Sequence, residues 1–296
     1  MLKPLFIIIL VFISYSPAIN GEFIWDDNAF LTNNPIMEKP DALKRFWATT
    51  EAPDYFPLVS TSLWLQRLFW GLNPMGFHVF NIALHTFNAV MLWFILCKLR
   101  FQGAWFAAAI FAIHPVHVES VAWITEIKNL QSTFFYMLSL ICYLKFVNTQ
   151  SVQGIATKMN QQPPDSSLIK RGYPPLFPTN RGGLTEVLKN IAQKARCYTF
   201  VTQKKQWYIF SLLVFLMALL SKTSVVMLPL ILLLYHWWVN DLLKKKNLIN
   251  IVPFFVFSIV FAGITIWFQY NRAGAVGEPW SVGFLERIAI AGRAVW

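Results

Sequence analysis

Apolar residues gather in seven long runs along the chain, at 4–19, 79–97, 103–118, 131–147, 207–220, 224–239 and 249–268, and an eighth opens near Ile288 and is cut off at Trp296. A helix needs about 20 predominantly apolar residues to cross the hydrocarbon of a bilayer. The pattern therefore predicts an all-α integral membrane protein, a polytopic bundle of seven transmembrane helices with a truncated eighth. Runs 4–19 and 207–220 are short for a span, which predicts thin or tilted local geometry, or helix ends that rest on protein instead of lipid. The first run follows one basic residue, Lys3, and leaves through Ser16-Pro17-Ala18, where Pro17 makes a poor cleavage site, so a retained helix is expected in place of a signal peptide.

Composition supports this class. The 296 residues are 56% hydrophobic and only 13% charged, with a mean hydropathy of +0.48, whereas a soluble domain is about a quarter charged. Charge then sets orientation. Segment 148–206 holds nine basic and two acidic residues, Lys98 and Arg100 lie in the 98–102 turn, and Lys244, Lys245 and Lys246 follow the sixth run, whereas 20–78 holds seven acidic and four basic residues. Basic loops stay on the cytoplasmic side. The N-terminus is therefore expected to be cytoplasmic, and 20–78, 119–130, 221–223 and 269–285 are expected outside.

The net charge of +11 is thus mostly a topology signal, and no nucleic-acid partner is expected. The 148–206 stretch is rich in Pro, Gly, Gln and Asn, which suits a flexible cytoplasmic insert with one amphipathic helix, LTEVLKNIAQKA, lying on the anionic leaflet. The chain divides accordingly into a membrane module at 1–147 with the outer loop 20–78, the insert 148–206, and further membrane helices at 207–296. Cys97, Cys142 and Cys197 all map to the cytoplasmic side, so no disulfide framework is expected.

Three clusters carry candidate chemistry. Asp26 and Asp27, inside EFIWDDNAFLTNN, follow the interfacial aromatics Phe23 and Trp25. An acidic pair there suits a general base for a hydroxyl, a divalent-metal site, or a solvated turn with a helix cap. Neighbouring side chains diverge in helix or strand, so one carboxylate is expected to face the chemistry while the other caps or orients. In the second run His78, Asn81, His85 and Asn88 recur at helical spacing and form one stripe, facing protein or a wet cavity. Interhelical hydrogen bonding is the plainer account of that stripe. At HPVHVES, Pro115 opens a new short helix, and His114, His117, Glu119, Glu126 and Lys128 line the outer face. One His-x-x-His pair with no clear third and fourth ligand makes a weak metal site. No required cofactor or metal is expected, although a divalent ion remains an open alternative.

The series WDD, YFPLVSTSLWLQRLFWGLNPMGFHVFNIALHTFNA, HPVHVESVAWITEIKNLQS and SKTSVVMLPLILLLYHWW resembles the membrane part of the transmembrane and tetratricopeptide-repeat proteins, relatives of the protein O-mannosyltransferases among the GT-C glycosyltransferases. The resemblance runs from about Ser14 to Trp296, the 150–200 insert excepted. It implies a GT-C fold, a polyprenyl-phosphate sugar donor with mannose as the sugar, and transfer to Ser or Thr hydroxyls of an acceptor protein on the outer face, periplasmic or lumenal. It also implies that Asp26 and Asp27 supply the catalytic base. The outer cations that such a donor's phosphate would meet are Lys128, close behind HPVHVES, Lys222, with little else to pair with, and Arg272. Two departures stand out: Phe56 where the family usually has Arg, and Thr223 where it usually has Glu. The family's repeats would follow Trp296, so the chain reads as a fragment. The rival class is a non-enzymatic anchor or a carrier of a lipid-linked substrate.

Overall fold

The computed structural model describes residues 2–52, 54–161, 205–240 and 245–271, together with Gly283 and Glu286. The described residues form helices and turns, with no strand among them. Each of the seven apolar runs is helical, but only four helical stretches are long and apolar enough to cross a membrane: Leu2–Asn20, Pro74–Lys98, Ile124–Val147 and Asn247–Asn271. The other three, Ala104–Ile113, Lys205–Ser221 and Thr223–Trp238, are shorter. The all-α membrane class expected from the sequence holds, while the number of crossings, expected at seven, is not fixed by these lengths. The expected eighth helix, the amphipathic segment LTEVLKNIAQKA, Cys197, Lys244 and Arg272 lie outside the described residues.

The chain divides into two compact units, Met1–Met137 with Phe215–Trp296, and Leu138–Val214. In the first, α1 (Leu2–Tyr15) buries Ile7, Val11 and Tyr15, which fall on one face at a spacing of four. That face packs on Ile82 and Ala89 of α4 (Pro74–Lys98) and on Ala108 and Ala112 of α5 (Ala104–Ile113). The alanines let the helices approach closely, which replaces the hydrophobic drive that lipid cannot supply. At its N-terminus α4 is capped by Asn73, whose side chain accepts the Met75 N–H at 3.1 Å, with Pro74 in the first turn where its missing N–H costs nothing.

Segment 20–78 is expected as a loop, yet it contains α2 (Ala42–Ala48), α3 (Pro57–Trp70) and the first turn of α4. Its core is its own: Leu31, Ile36, Met37, Ala42, Phe46, Val59, Leu63 and Phe77 pack with Ile124 and Ile127. Pro57 at the start of α3 and Gly71 at its end, with φ +60°, punctuate that helix.

Run 103–118 also differs from expectation. Helix α5 has 10 residues, about 15 Å of rise, and stops at His114. After a turn through Pro115 and Val116, the short α6 (His117–Ala122) begins, and α7 (Ile127–Gln161) follows one further turn. The remaining helices are α8 (Lys205–Ser221), α9 (Leu228–Asn240) and α10 (Lys245–Asn271). In α10, Pro253 sits inside the helix, a placement that membrane helices tolerate because neighbours re-satisfy the freed backbone groups.

In the unit Leu138–Val214, Ser139 and Ser211 bond each other's carbonyls reciprocally, each hydroxyl donating at 2.8 Å. Phe146 meets Tyr208 at 5.1 Å, and Lys145 Nζ stands 3.9 Å from the Trp207 ring centre.

Candidate active site

The two neighbouring aspartates point into different surroundings. Asp27 is fully buried. Its Oδ2 accepts the Ile24 N–H and its Oδ1 accepts the Thr125 N–H, both at 2.9 Å. It thereby ties the WDD turn to the segment between α6 and α7. Asp26 is exposed, and no side-chain hydrogen bond or ion pair is formed by its carboxylate among the described residues. Trp25, just before it, has φ +46° and is 74% exposed.

The residue after Thr125 opens a knot of charge. Glu126 is buried, with Lys128 Nζ at 2.7 Å from one carboxylate oxygen and Lys222 Nζ at 3.8 Å from the other. Asn129 joins them, donating to Glu126 Oε2 and accepting from Lys222. The expectation that Lys222 has little to pair with is therefore corrected. Lys222 sits between α8 and the helical turn Thr223–Met227, and a partner 93 residues away in sequence leaves no local trace. Burial pushes its ammonium below the ordinary value of 10.5, while Glu126, and more weakly Glu119 and Asp54, oppose the shift.

Asp54 is a further member, one that no motif or spacing in the sequence singles out. Burial raises its pKa, with Lys128 and Lys222 drawing it down and Asp26 pushing it up. Asp54 thus responds to the charges of Asp26, Lys128 and Lys222 together. A small cavity there is lined by Asp54, Phe30, Phe56, Ser60, Thr125 and Lys128, among others. Phe56, the departure from the family's Arg, is thus part of this wall.

The stripe on α4 has a different role. His78, Asn81, His85 and Asn88 are all buried. Asn81 donates to the carbonyls of Trp123 and Ile124, both at 3.3 Å, His85 Nε2 donates to Ala112 O at 3.1 Å, and Asn88 donates to Leu130 O at 2.9 Å. His78 lies against Gly21, where an added Cβ would come 3.0 Å from Nε2. These acceptors lie where α5 ends, between α6 and α7, and in the first turn of α7, the places where helix carbonyls run short of partners or take a second one. His117 packs at a tilt against His85 and Phe111, with ring centres at 5.3 and 4.4 Å. Burial lowers the His117 pKa, and His114 adds to the effect. His114 and Glu119 are exposed, and the His114 ring accepts the Val116 N–H at 3.3 Å. Among the described residues no three His, Cys, Asp or Glu side chains converge as metal ligands would.

Beside the charged knot an apolar groove of about 360 Å³ opens between α3, α4 and α7, lined by Ser62, Phe80, Leu84, Phe87, Gln131 and Phe134, among others. Gln131 follows Lys128 by three residues, so the groove begins one helical turn from that lysine.

The chain is 31% identical over 156 residues to a protein O-mannosyl-transferase of Caenorhabditis elegans, which covers 48% of this chain and 23% of that protein. It is 33% identical over 149 residues to protein O-mannosyl-transferase tmtc2 of Xenopus laevis, with 46% and 18% covered. Human protein O-mannosyl-transferase TMTC1 is 30% identical over 155 residues, with 47% and 18% covered. Over nearly half its length, the chain is TMTC-like. The matched stretch spans only about a fifth of these relatives' own length. No protein-family model matches the chain, and no solved structure does. Helices and TMTC likeness together make this an integral membrane protein.

Proposed function

We propose that this TMTC-like protein is a membrane glycosyltransferase that moves mannose from a polyprenyl-phosphate donor to Ser or Thr hydroxyls of an acceptor protein on the outer face of the membrane. The observation that carries the reading is the exposed, unbonded carboxylate of Asp26 on a turn that Asp27 ties to Thr125, next to the knot of Glu126, Lys128 and Lys222. The names of the relatives supply the sugar and the acceptor class, and the apolar groove one turn from Lys128 suits the lipid part of the donor.

In the reaction the acceptor oxygen attacks C1 of the sugar while the bond from C1 to the phosphate oxygen breaks. Asp26 takes the hydroxyl proton, and polyprenyl phosphate leaves with the electron pair. Asp26 is exposed and its carboxylate has no competing partner among the described residues, which suits a general base. Lys128 and Lys222 share one carboxylate, Glu126, so the three groups together keep one positive charge for the departing phosphate. Arg272 is a third candidate cation for that phosphate. Asp27 holds the turn in place and takes no proton. His114, His117 and Glu119 border the acceptor side, and the mechanism requires no metal.

The test is release of polyprenyl phosphate, coupled to labelling of protein, in membranes holding the full-length parent or its Asp26→Asn variant at matched expression. Coupled release that vanishes in the variant is expected. A carrier would move the lipid without cleaving it, and intact donor with no labelled protein would overturn the reading. Undiminished transfer by Asp26→Asn would remove Asp26 as the base.

A further inference from the structure

Trp25 is unusual on three counts at once. Its backbone is left-handed, with φ +46°, a region that bulky residues avoid and that persists only where the surroundings enforce it. Its side chain is 74% exposed, so the strain does not serve a buried core. Its ring nevertheless meets Trp123 edge to face, with centres 5.1 Å apart and planes at 75°. Trp123 in turn lies beneath Lys128, whose Nζ is 5.9 Å from the ring centre. The Asp27 bond to Thr125 N pins segments 25–27 and 123–125 together, so the aromatic pair has a fixed place. It runs from the residue just before the proposed base, Asp26, to the ring that the proposed phosphate cation, Lys128, overlies.

A sugar undergoing transfer must occupy that interval, because its C1 lies between the attacking hydroxyl and the leaving phosphate. Pyranose rings have one face of C–H groups, apolar and slightly positive, and such a face settles against the negative face of an aromatic ring. We propose that Trp25, backed by Trp123, is the platform for the donor hexose and the residue that selects for the sugar's C–H face. This rests on the donor assignment above and adds the sugar subsite to it. A side chain needed only to turn the backbone would be better served by glycine at a φ of this sign.

The experiment measures equilibrium binding of polyprenyl-phosphate mannose, and of polyprenyl phosphate without sugar, to the purified full-length parent and to its Trp25→Ala, Trp25→Gly and Trp25→Phe variants. The expected result is about two- to tenfold weaker binding of the mannose-bearing lipid by the alanine and glycine variants, as loss of one aromatic contact implies. The phenylalanine variant stays close to the parent. All four proteins bind the sugar-free lipid equally, which also shows that the variants are folded. Equal losses for both lipids would make Trp25 a membrane anchor and overturn the subsite, as would full affinity in Trp25→Gly. If the sugar-free lipid binds the parent normally and the mannose adds no affinity, the platform fails while the lipid-phosphate assignment stands. If neither lipid binds the parent, the donor assignment falls and the subsite falls with it.

Discussion

Along α4, buried polar side chains donate to backbone carbonyls. Around Glu126, buried and half-buried charges meet one another. The stripe of Asn81, His85 and Asn88 finds acceptors at Trp123, Ile124, Ala112 and Leu130, where α5, α6 and α7 stop and start. Those bonds join the pieces of a broken helical path, while His85 Nδ1 and Asn88 Oδ1 stay buried without a hydrogen-bond partner. The charged knot gathers Lys128, Lys222 and Asn129 on one carboxylate and leaves Asp26 unbonded nearby. Polar residues inside an apolar chain thus meet two kinds of partner: a neutral backbone dipole along α4, and around Glu126 an incompletely neutralised charge, where the chemistry is proposed.

The sharpest way to break this distinction is at Asp26. Asp26→Asn is expected to lower kcat by about 10²- to 10⁴-fold, the usual contribution of a general base, with no change in thermal unfolding of the detergent-solubilised protein. A loss of folding in place of turnover would move Asp26 to the architectural side. Asp27→Ala should do the opposite first. It orphans a buried N–H at Thr125 and a part-buried one at Ile24, and is expected to cost about 2–4 kcal/mol of stability, read as a lowered unfolding midpoint. Activity then falls only because the WDD turn has lost its tether.

Asn88→Ala tests the stripe itself. Interhelical hydrogen bonds in membranes average about 0.6 kcal/mol and reach about 1.7, so a small drop in unfolding midpoint is expected while the pH profile of transfer keeps its shape. A changed profile would give the stripe a chemical role.

The finest test uses the alkaline side of that profile. Burial holds the Lys222 ammonium below its ordinary value of 10.5, and phosphate binding needs the protonated form. Activity therefore falls as pH rises through the depressed folded-state value, earlier than an ordinary lysine would allow. Lys222→Arg, which stays charged, should shift that limb to higher pH; an unmoved limb would take Lys222 out of the phosphate site.

Much of the architecture is legible in the sequence because lipid imposes a simple length and composition on a span. The seven apolar runs mark seven helices, but hydropathy alone does not tell a ten-residue α5 from a full crossing. His114-Pro115 breaks the run in a way that an average over 103–118 conceals. Helix α3 was hidden for the reverse reason, since Ser, Thr and Gln dilute its apolar face, although Pro57 and Gly71 mark its two ends. At the site, spacing along α4 shows the stripe, while no local signal joins Glu126 to Lys222 or Asp54 to Lys128. Those neighbours are made by tertiary packing. Divergence of adjacent side chains predicts that Asp26 and Asp27 part ways; which of them turns inward depends on Thr125, 98 residues downstream of Asp27.

That separation of 98 residues also sets a clock. The carboxylate of Asp27 is made long before the N–H that it will hold, and at synthesis rates of about 5–20 residues per second the wait is roughly 5–20 s. During that interval the WDD turn has no latch, and the aromatic residues around it have no Trp123 to rest on. The WDD turn is therefore latched only when the segment between α6 and α7 arrives, and any translational pause between codons 27 and 125 lengthens the time for which an acidic, tryptophan-bearing loop stands open.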